Sequence, residues 1–266
     1  MIHKIVKVFT IFCFLLMQVS CQPVSLEPSR VRTDVTPSSS SGFNSYDVGG
    51  FKDARTYETF AHKMSRRSAV RVQIEYGDMS VYGSGTYIKW RGHDMVVTAA
   101  HLFAFGGGTV LKDEAIITSP SEKVFGKLVY VDKIVDIAVF AIPALKSRSP
   151  NKFNRANSFR IGEKLIYSGF PGPNQLLTFE GEMSGDAYGT DIAMSSFAWP
   201  GSSGSGVYNS KGELVGVVVS IMVGSNGNPG RQLIGSVVYI APATLIDSVY
   251  LLYNLDKARN SKNAGF

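Results

Sequence analysis

An all-β fold, built as two successive sets of short strands and closed by a C-terminal helix, is what this chain of 266 residues predicts. Three observations carry that expectation. From Ala69 onward, apolar residues alternate with polar ones over short runs, which is the period of a half-buried strand. The 27 glycines and 11 prolines supply turn residues at a density that suits many short strands better than long helices. After Pro242 the period becomes helical, with Leu245, Val249 and Leu252 in step and the proline near the helix start, where it is tolerated. With 44% hydrophobic and 18% charged residues, the chain can bury a full core.

The N-terminus reads differently from the rest. Lys4 and Lys7 precede an apolar run from Val8 to Met17, with Val19-Ser20-Cys21 behind it. The run falls short of the roughly 20 residues of a membrane span, so residues 1–21 read as a secretory signal peptide or an N-terminal membrane anchor. An exported protein follows: periplasmic, extracellular or tethered to a membrane by its N-terminus. Val19-Ser20-Cys21 also resembles the end of a bacterial lipobox, which makes Cys21 a candidate for lipidation, although Gln18 departs from the aliphatic residue usual there. Both cysteines, Cys13 and Cys21, lie in this segment, so the remainder holds no disulfide and coheres by packing alone.

Residues 22–65 read as a flexible tether around Pro37-Ser38-Ser39-Ser40-Ser41-Gly42. Within it, residues 52–65 are expected to form a short helix packed outside the strands. The strands then follow in order: Val70 to Ile74; Tyr82 to Trp90, turning through an exposed Arg91-Gly92-His93-Asp94 tip into Met95 to Ala99; Leu128 to Val131; and Ile134 to Ile142. A polar connector, Ser147 to Ala156, separates these from Lys164 to Tyr167, Leu176 to Glu180, Ile192 to Met194, Val207 to Asn209, Leu214 to Ile221 and Leu233 to Ile240. Lys211-Gly212 marks a hairpin turn. The net charge of +6 describes a mildly basic surface, and no compact basic-aromatic motif supports nucleic acid as a partner.

Three segments carry chemistry. They are Val96-Val97-Thr98-Ala99-Ala100-His101, Asp136-Ile137-Ala138-Val139 and Pro200-Gly201-Ser202-Ser203-Gly204-Ser205-Gly206. A serine hydroxyl is a poor nucleophile near neutral pH, so it needs a base in hydrogen-bond reach and a third group to hold the base's tautomer. All four histidines, His3, His62, His93 and His101, precede Ser203. That order excludes an α/β-hydrolase, whose histidine follows its serine. By themselves the residues leave Ser202, Ser203 and Ser205 as candidate nucleophiles and Asp132 beside Asp136 as candidate carboxylates. No metal-ligand spacing is visible.

These motifs resemble the chymotrypsin-like (trypsin-fold) serine peptidases, most closely the minimal HtrA-like and V8-like bacterial and viral branches. Gly83-Ser84-Gly85-Thr86-Tyr87-Ile88 matches that family's early G-x-G strand, and Thr98-Ala99-Ala100-His101 matches its T-A-x-H. Asp136-Ile137-Ala138-Val139 matches D-[IL]-A, and Pro200 to Gly206 matches P-G-x-S-G-[SG]. Ile161-Gly162-Glu163 with Gly169-Phe170-Pro171-Gly172 is similar to the opening of the family's second barrel. The likeness runs from residue 66 to 254.

The resemblance implies two six-stranded antiparallel β-barrels with a cleft between them, one over about 66–150 and the other over about 157–240. A C-terminal helix at 242–254 and a polar tail at 255–266 complete the chain. It implies a serine endopeptidase that cuts polypeptides through an acyl-enzyme and needs no cofactor or metal. Ser203 would be the nucleophile, His101 the general base and then acid, and Asp136 the orienting carboxylate. The backbone N–H groups of Gly201 and Ser203 would form the oxyanion hole, each worth about 3 kcal/mol in comparable sites. Phe197, Ala198, Val219 and Ser220 would line the specificity pocket, and the lack of an acid among them points to an apolar or small P1 residue. Ser202 stands where the trypsin branch has an aspartate, and no Ile-Val-Gly-Gly start exists, so activation by a newly cut N-terminus is not expected. Nor is an appended HtrA-type domain. The alternatives are a catalytically silent trypsin-fold binding or structural module and, as a different setting, a viral or phage processing protease.

Overall fold

The computed structural model describes residues 58–263, apart from 106–109, 157, 173, 188 and 225–231. The signal or anchor segment, Cys21 and the tether up to residue 57 lie outside the described residues. Strand β1 (Ala69–Tyr76) buries Val70, Val72 and Ile74 and leaves Arg71, Gln73 and Glu75 partly in solvent, as the alternating pattern requires. Then come β2 (Met79–Trp90), β3 (His93–Ala99), β4 (Ala104–Phe105), β5 (Val110–Leu111), β6 (Glu114–Ser119), β7 (Glu122–Asp132) and β8 (Ile137–Ala141). Six of these form an antiparallel barrel in the order β1-β6-β7-β8-β3-β2, closed by pairing of β1 with β2. The short strands β4 and β5 pair with each other.

The turn from β2 to β3 is made by Arg91 at φ 49° and Gly92 at φ 81°. Two positive φ values in a two-residue turn give the twist that matches flanking antiparallel strands. His93 is not exposed at this tip, as the sequence suggested. It is only 7% exposed, and its Nε2 pairs with Asp256 Oδ1 at 2.9 Å. The reason is tertiary: a helix covers the tip, and Arg259 of that helix also donates to Gly92 O at 3.0 Å.

The polar connector contributes to the first sheet rather than merely crossing over. Within it, β9 (Asn151–Lys152) pairs in parallel with β2. The second barrel is formed by β10 (Lys164–Gly169), β11 (Leu177–Asp186), β12 (Ile192–Ser195), β13 (Gly206–Asn209), β14 (Leu214–Gly224) and β15 (Gln232–Pro242). It closes in the order β10-β11-β12-β15-β14-β13. Its interior is filled by Leu165, Tyr167, Met194, Val207, Val215, Val218, Val238 and Ile240, each 1% exposed or less. Two closed six-stranded antiparallel barrels are therefore present, as expected.

Helix α1 (Phe60–Ser68) begins inside the segment read as tether and runs past its end. Thr59 Oγ1 accepts from His62 N while His62 Nδ1 accepts from Thr59 N, a reciprocal cap. The helix is not merely laid on the outside. It packs where the barrels meet, with Ser65 Oγ donating to Ser168 Oγ at 2.8 Å on one side and Asn151 Nδ2 donating to Ser68 Oγ at 2.9 Å on the other. At the centre of this seam the hydroxyls of Thr86 and Tyr208 meet at 2.6 Å, and Ser68 Oγ lies 3.1 Å from Thr86 Oγ1. All three residues are fully or almost fully buried. Burial pushes the Tyr208 phenol above its ordinary pKa, so it stays protonated. Tyr208→Phe is expected to cost about 1–2 kcal/mol, because a buried hydroxyl loses its partner; urea unfolding of the variant checks it.

At the C-terminus the helical prediction had the right element and the wrong face. A short 3-10 turn (Ala243–Leu245) precedes α2 (Ser248–Asn263), and the two do not share one phase. Asp247 Oδ1 accepts from the N–H groups of Val249 and Tyr250, so the helix restarts there. Leu251 and Leu255 face the core at 0% and 1% exposure, while Val249 is 81% exposed. The helix also runs to Asn263, through residues read as a tail. In the first barrel, Ile134 lies in a turn and is exposed rather than in a strand, and β6 was missed because its pattern is short and flanked by polar residues.

Candidate active site

His101 sits in the 3-10 turn Ala100–Phe103 that leaves β3, and Asp136 closes the turn that enters β8. Because β3 and β8 are neighbours, with Ala99 opposite Ile137, their ends bring the two residues together. Asp136 Oδ2 accepts from His101 Nδ1 at 2.7 Å, and Oδ1 accepts from the His101 backbone N–H at 2.6 Å. The Ala100 N–H adds a bond to Asp136 O at 3.1 Å. With a carboxylate on Nδ1, that nitrogen carries the proton, and Nε2 of the neutral ring keeps its lone pair. Asp136 has φ 62°, a left-handed backbone that aspartate tolerates better than most residues. The rival Asp132 is occupied elsewhere: its Oδ1 accepts from Ile134 N at 2.9 Å and Val135 N at 3.0 Å, which holds the turn.

The serine loop joins β12 to β13. Of the three candidate nucleophiles in it, Ser202 and Ser205 are buried at 1% and 0% exposure, and Ser203 reaches solvent in part. Ser202 Oγ accepts from Trp199 N at 3.3 Å. The loop is pressed against barrel one on both sides of Ser203. Ser203 O accepts from Ser84 N at 2.8 Å. A Cβ on Gly204 would lie 3.0 Å from Ala99 N, and one on Gly83 would touch both Leu102 and Ser203 O. The segment Thr98 to Leu102, which carries His101, is thus packed against Ser203 and Gly204.

Three consecutive peptide planes of this loop are fixed. A trans peptide points its N–H opposite to its C=O, so holding the carbonyl aims the amide. Pro200 O accepts from Gly172 N at 2.7 Å, which aims the Gly201 N–H away from residues 170–172. Ser202 O accepts from Ser205 N at 3.0 Å, which orients the Ser203 N–H. Between them, Gly201 O accepts from Ser84 Oγ at 2.7 Å while Ser202 N donates to Trp199 O at 2.9 Å. Gly201 has φ 99°, and a Cβ there would come within 2.7 Å of Phe170 O, so glycine is required.

The four residues read as a specificity pocket divide in two. Ala198 and Val219 are buried at 3% and 6% exposure, and Phe197 and Ser220 are exposed. Phe197 stacks on Trp199 with ring centroids 6.2 Å apart, and its carbonyl accepts from the Tyr167 hydroxyl. Sequence reasoning gave no role to Asp191, at the start of β12. Burial first, and then the charge of Asp136, raise its pKa above the ordinary carboxylate value. It also gave no role to Ser84. The available signal was the run Gly83-Ser84-Gly85-Thr86, in which period 2 sends both hydroxyls to one face of β2.

Two antiparallel six-stranded barrels with His101, Asp136 and the serine loop at their junction define the class as a serine-type peptidase of trypsin-like fold. The chain belongs to the trypsin-like peptidase domain family, whose model matches residues 83–217 and so spans all three segments. It is a serine-type endopeptidase, a hydrolase of polypeptides. Solved structures agree in fold. The active form of the Rv3671c protease from M. tuberculosis is 18% identical, with a TM-score of 0.56, and the match covers 76% of this chain and 87% of that one. The serine endoprotease from Yersinia pestis is 17% identical with a TM-score of 0.55, covering 73% of this chain and 65% of that one. The HtrA-type protease AlgW, solved with a tripeptide, is 19% identical with a TM-score of 0.55, covering 70% and 59% respectively.

Proposed function

We propose that this peptidase cleaves its substrates through an acyl-enzyme on Ser203, with His101 as general base and then general acid and Asp136 holding the imidazole. The observation that carries the reading is the double acceptance by Asp136, from the backbone N–H and the Nδ1–H of His101. It fixes both the position and the tautomer of the ring, leaving Nε2 able to take the proton of a serine hydroxyl. The hydroxyl adds to the scissile carbonyl, and Nε2 takes its proton. As the amine leaves with that proton, the acyl group remains on Ser203. Water, deprotonated by Nε2, then adds to the acyl carbonyl, and Nε2 returns that proton to the Ser203 oxygen as the acid product leaves. The N–H groups of Gly201 and Ser203 receive the negative oxygen of the tetrahedral intermediates, and the hydrogen bonds on their carbonyl partners support this assignment. Phe197 and Ser220 are the accessible residues of the proposed P1 pocket.

We also read residues 1–21 as the export signal or anchor of this enzyme, which would act outside the cytoplasm. A fluorophosphonate probe tests the catalytic reading on the full chain. Covalent label is expected on Ser203, with none on the Ser203→Ala variant. Label on Ser202 or Ser205, or no label on the parent protein, overturns it.

A further inference from the structure

We infer that Ser84 is a positioning residue for the oxyanion hole, reaching from barrel one to hold the nucleophile loop of barrel two in its working conformation. The inference rests on the proposed roles of Ser203 and the Gly201 amide. Ser84 is fully buried, and three of its polar groups contact segments that form the site. Its N–H donates to Ser203 O at 2.8 Å, and its C=O accepts from Thr98 Oγ1 at 2.7 Å. Its Oγ accepts from Phe170 N at 2.9 Å and donates to Gly201 O at 2.7 Å.

The last of these bonds is the informative one. The Gly201–Ser202 peptide lies between the two peptides whose N–H groups would bind the oxyanion. If that middle plane rotates, both flanking amides swing with it. Ser202 N is held within its own loop, through Trp199 O. The carbonyl end is held from the other barrel, and by a side chain. Because Phe170 N occupies a lone pair of the hydroxyl, the Ser84 proton is directed to Gly201 O. Glycine at 201 leaves that plane intrinsically free to turn, since it populates both signs of φ. The Ser84 hydroxyl therefore supplies a restraint that the loop's own sequence lacks. It touches neither substrate nor reacting atoms, so its effect would fall on transition-state binding and not on substrate affinity.

The test compares Ser84→Ala with Thr86→Val in the full chain. Thr86 lies two residues along the same face of β2, bonds Tyr208 and packs beside Gly206; the valine keeps that packing, weakens the barrel seam and leaves the bonds on Gly201 and Ser202 in place. Three quantities are read: the rate of fluorophosphonate labelling, kcat and KM on casein, and the melting temperature. Ser84→Ala is expected to label about 10- to 100-fold more slowly, a fraction of the 10²- to 10³-fold cost of losing an oxyanion donor outright. Its kcat should fall in step and its KM stay within about twofold, as for an interaction made only in the transition state. Thr86→Val should lose at least as much melting temperature and label at close to the parent rate. Ser84→Cys keeps a weaker donor at the same position; it should fall between parent and alanine, and it carries the test if the alanine variant does not fold. Parental labelling by Ser84→Ala, or equal slowing in Thr86→Val, overturns the inference while leaving the proposed triad intact. Failure of the parent protein to label overturns the triad, and this inference with it.

Discussion

Asp136→Asn is expected to lower kcat about ten-thousand-fold while the protein keeps its fold and nearly its melting temperature. The two side chains have almost the same shape, and asparagine accepts the left-handed φ of 62° at this position. What changes is the proton inventory. Asp136 offers two acceptors, one to the His101 N–H at 2.6 Å and one to Nδ1–H at 2.7 Å. In asparagine one of those acceptors becomes an NH₂ donor. The backbone N–H cannot change its role, so the amide oxygen stays with it and the NH₂ faces Nδ1. The ring answers by carrying its proton on Nε2, where it can no longer act as a base toward Ser203. Labelling rates and casein hydrolysis at neutral pH measure the effect. A variant that retains more than about a tenth of parental activity would mean that Asp136 is a turn residue and not part of the mechanism.

Gly204→Ala carries the largest expected loss of stability. Gly204 has φ 87°, and an added Cβ would overlap Ser84 O and Thr98 Oγ1 and sit 3.0 Å from Ala99 N. The left-handed backbone costs about 1–2 kcal/mol for a residue with a Cβ. Overpacking against rigid backbone adds about 1–3 kcal/mol more, for a total near 2–5 kcal/mol. The neighbouring atoms are backbone and a β-branched side chain, which cannot move aside cheaply. Relief comes only by moving the loop off barrel one, which breaks the bonds from Gly204 N to Val218 O and from Ser84 N to Ser203 O. Activity should be lost together with stability. Both cysteines lie in residues 1–21, so no disulfide in the barrels can absorb the strain. Urea unfolding settles it: a loss below about 1 kcal/mol with activity retained would show that the barrels do not press on the nucleophile loop this closely.

The strands that the sequence revealed are those whose burial is one-sided or continuous. Val70, Val72 and Ile74 announce β1 because each faces the core, and Leu214 to Ile221 announces β14 in the same way. β6 stayed hidden because its run is short and flanked by polar residues, although Ala115 and Ile117 are buried, and the first half of β7 stayed hidden because Phe125 faces solvent. α2 was found, but its face was misread: a single side chain, Asp247, resets the helical phase.

The chemistry divides along the same line. Residue types, chain order and spacing were enough to mark His101, an aspartate at 132 or 136 and a serine among 202, 203 and 205 as candidates, and the resemblance of the short local motifs chose among them. Which serine of three is accessible, which aspartate meets the histidine, and why His93 is buried all depend on contacts between residues far apart in the chain. Ser84 is the extreme case: nothing adjacent to it in sequence hints that its hydroxyl meets Gly201, 117 residues away. Alternation and motifs record what a residue needs from its immediate neighbours. The direction of a peptide plane is set by whatever atom the folded chain brings to its other side, and only closure of the two barrels against each other supplies that atom.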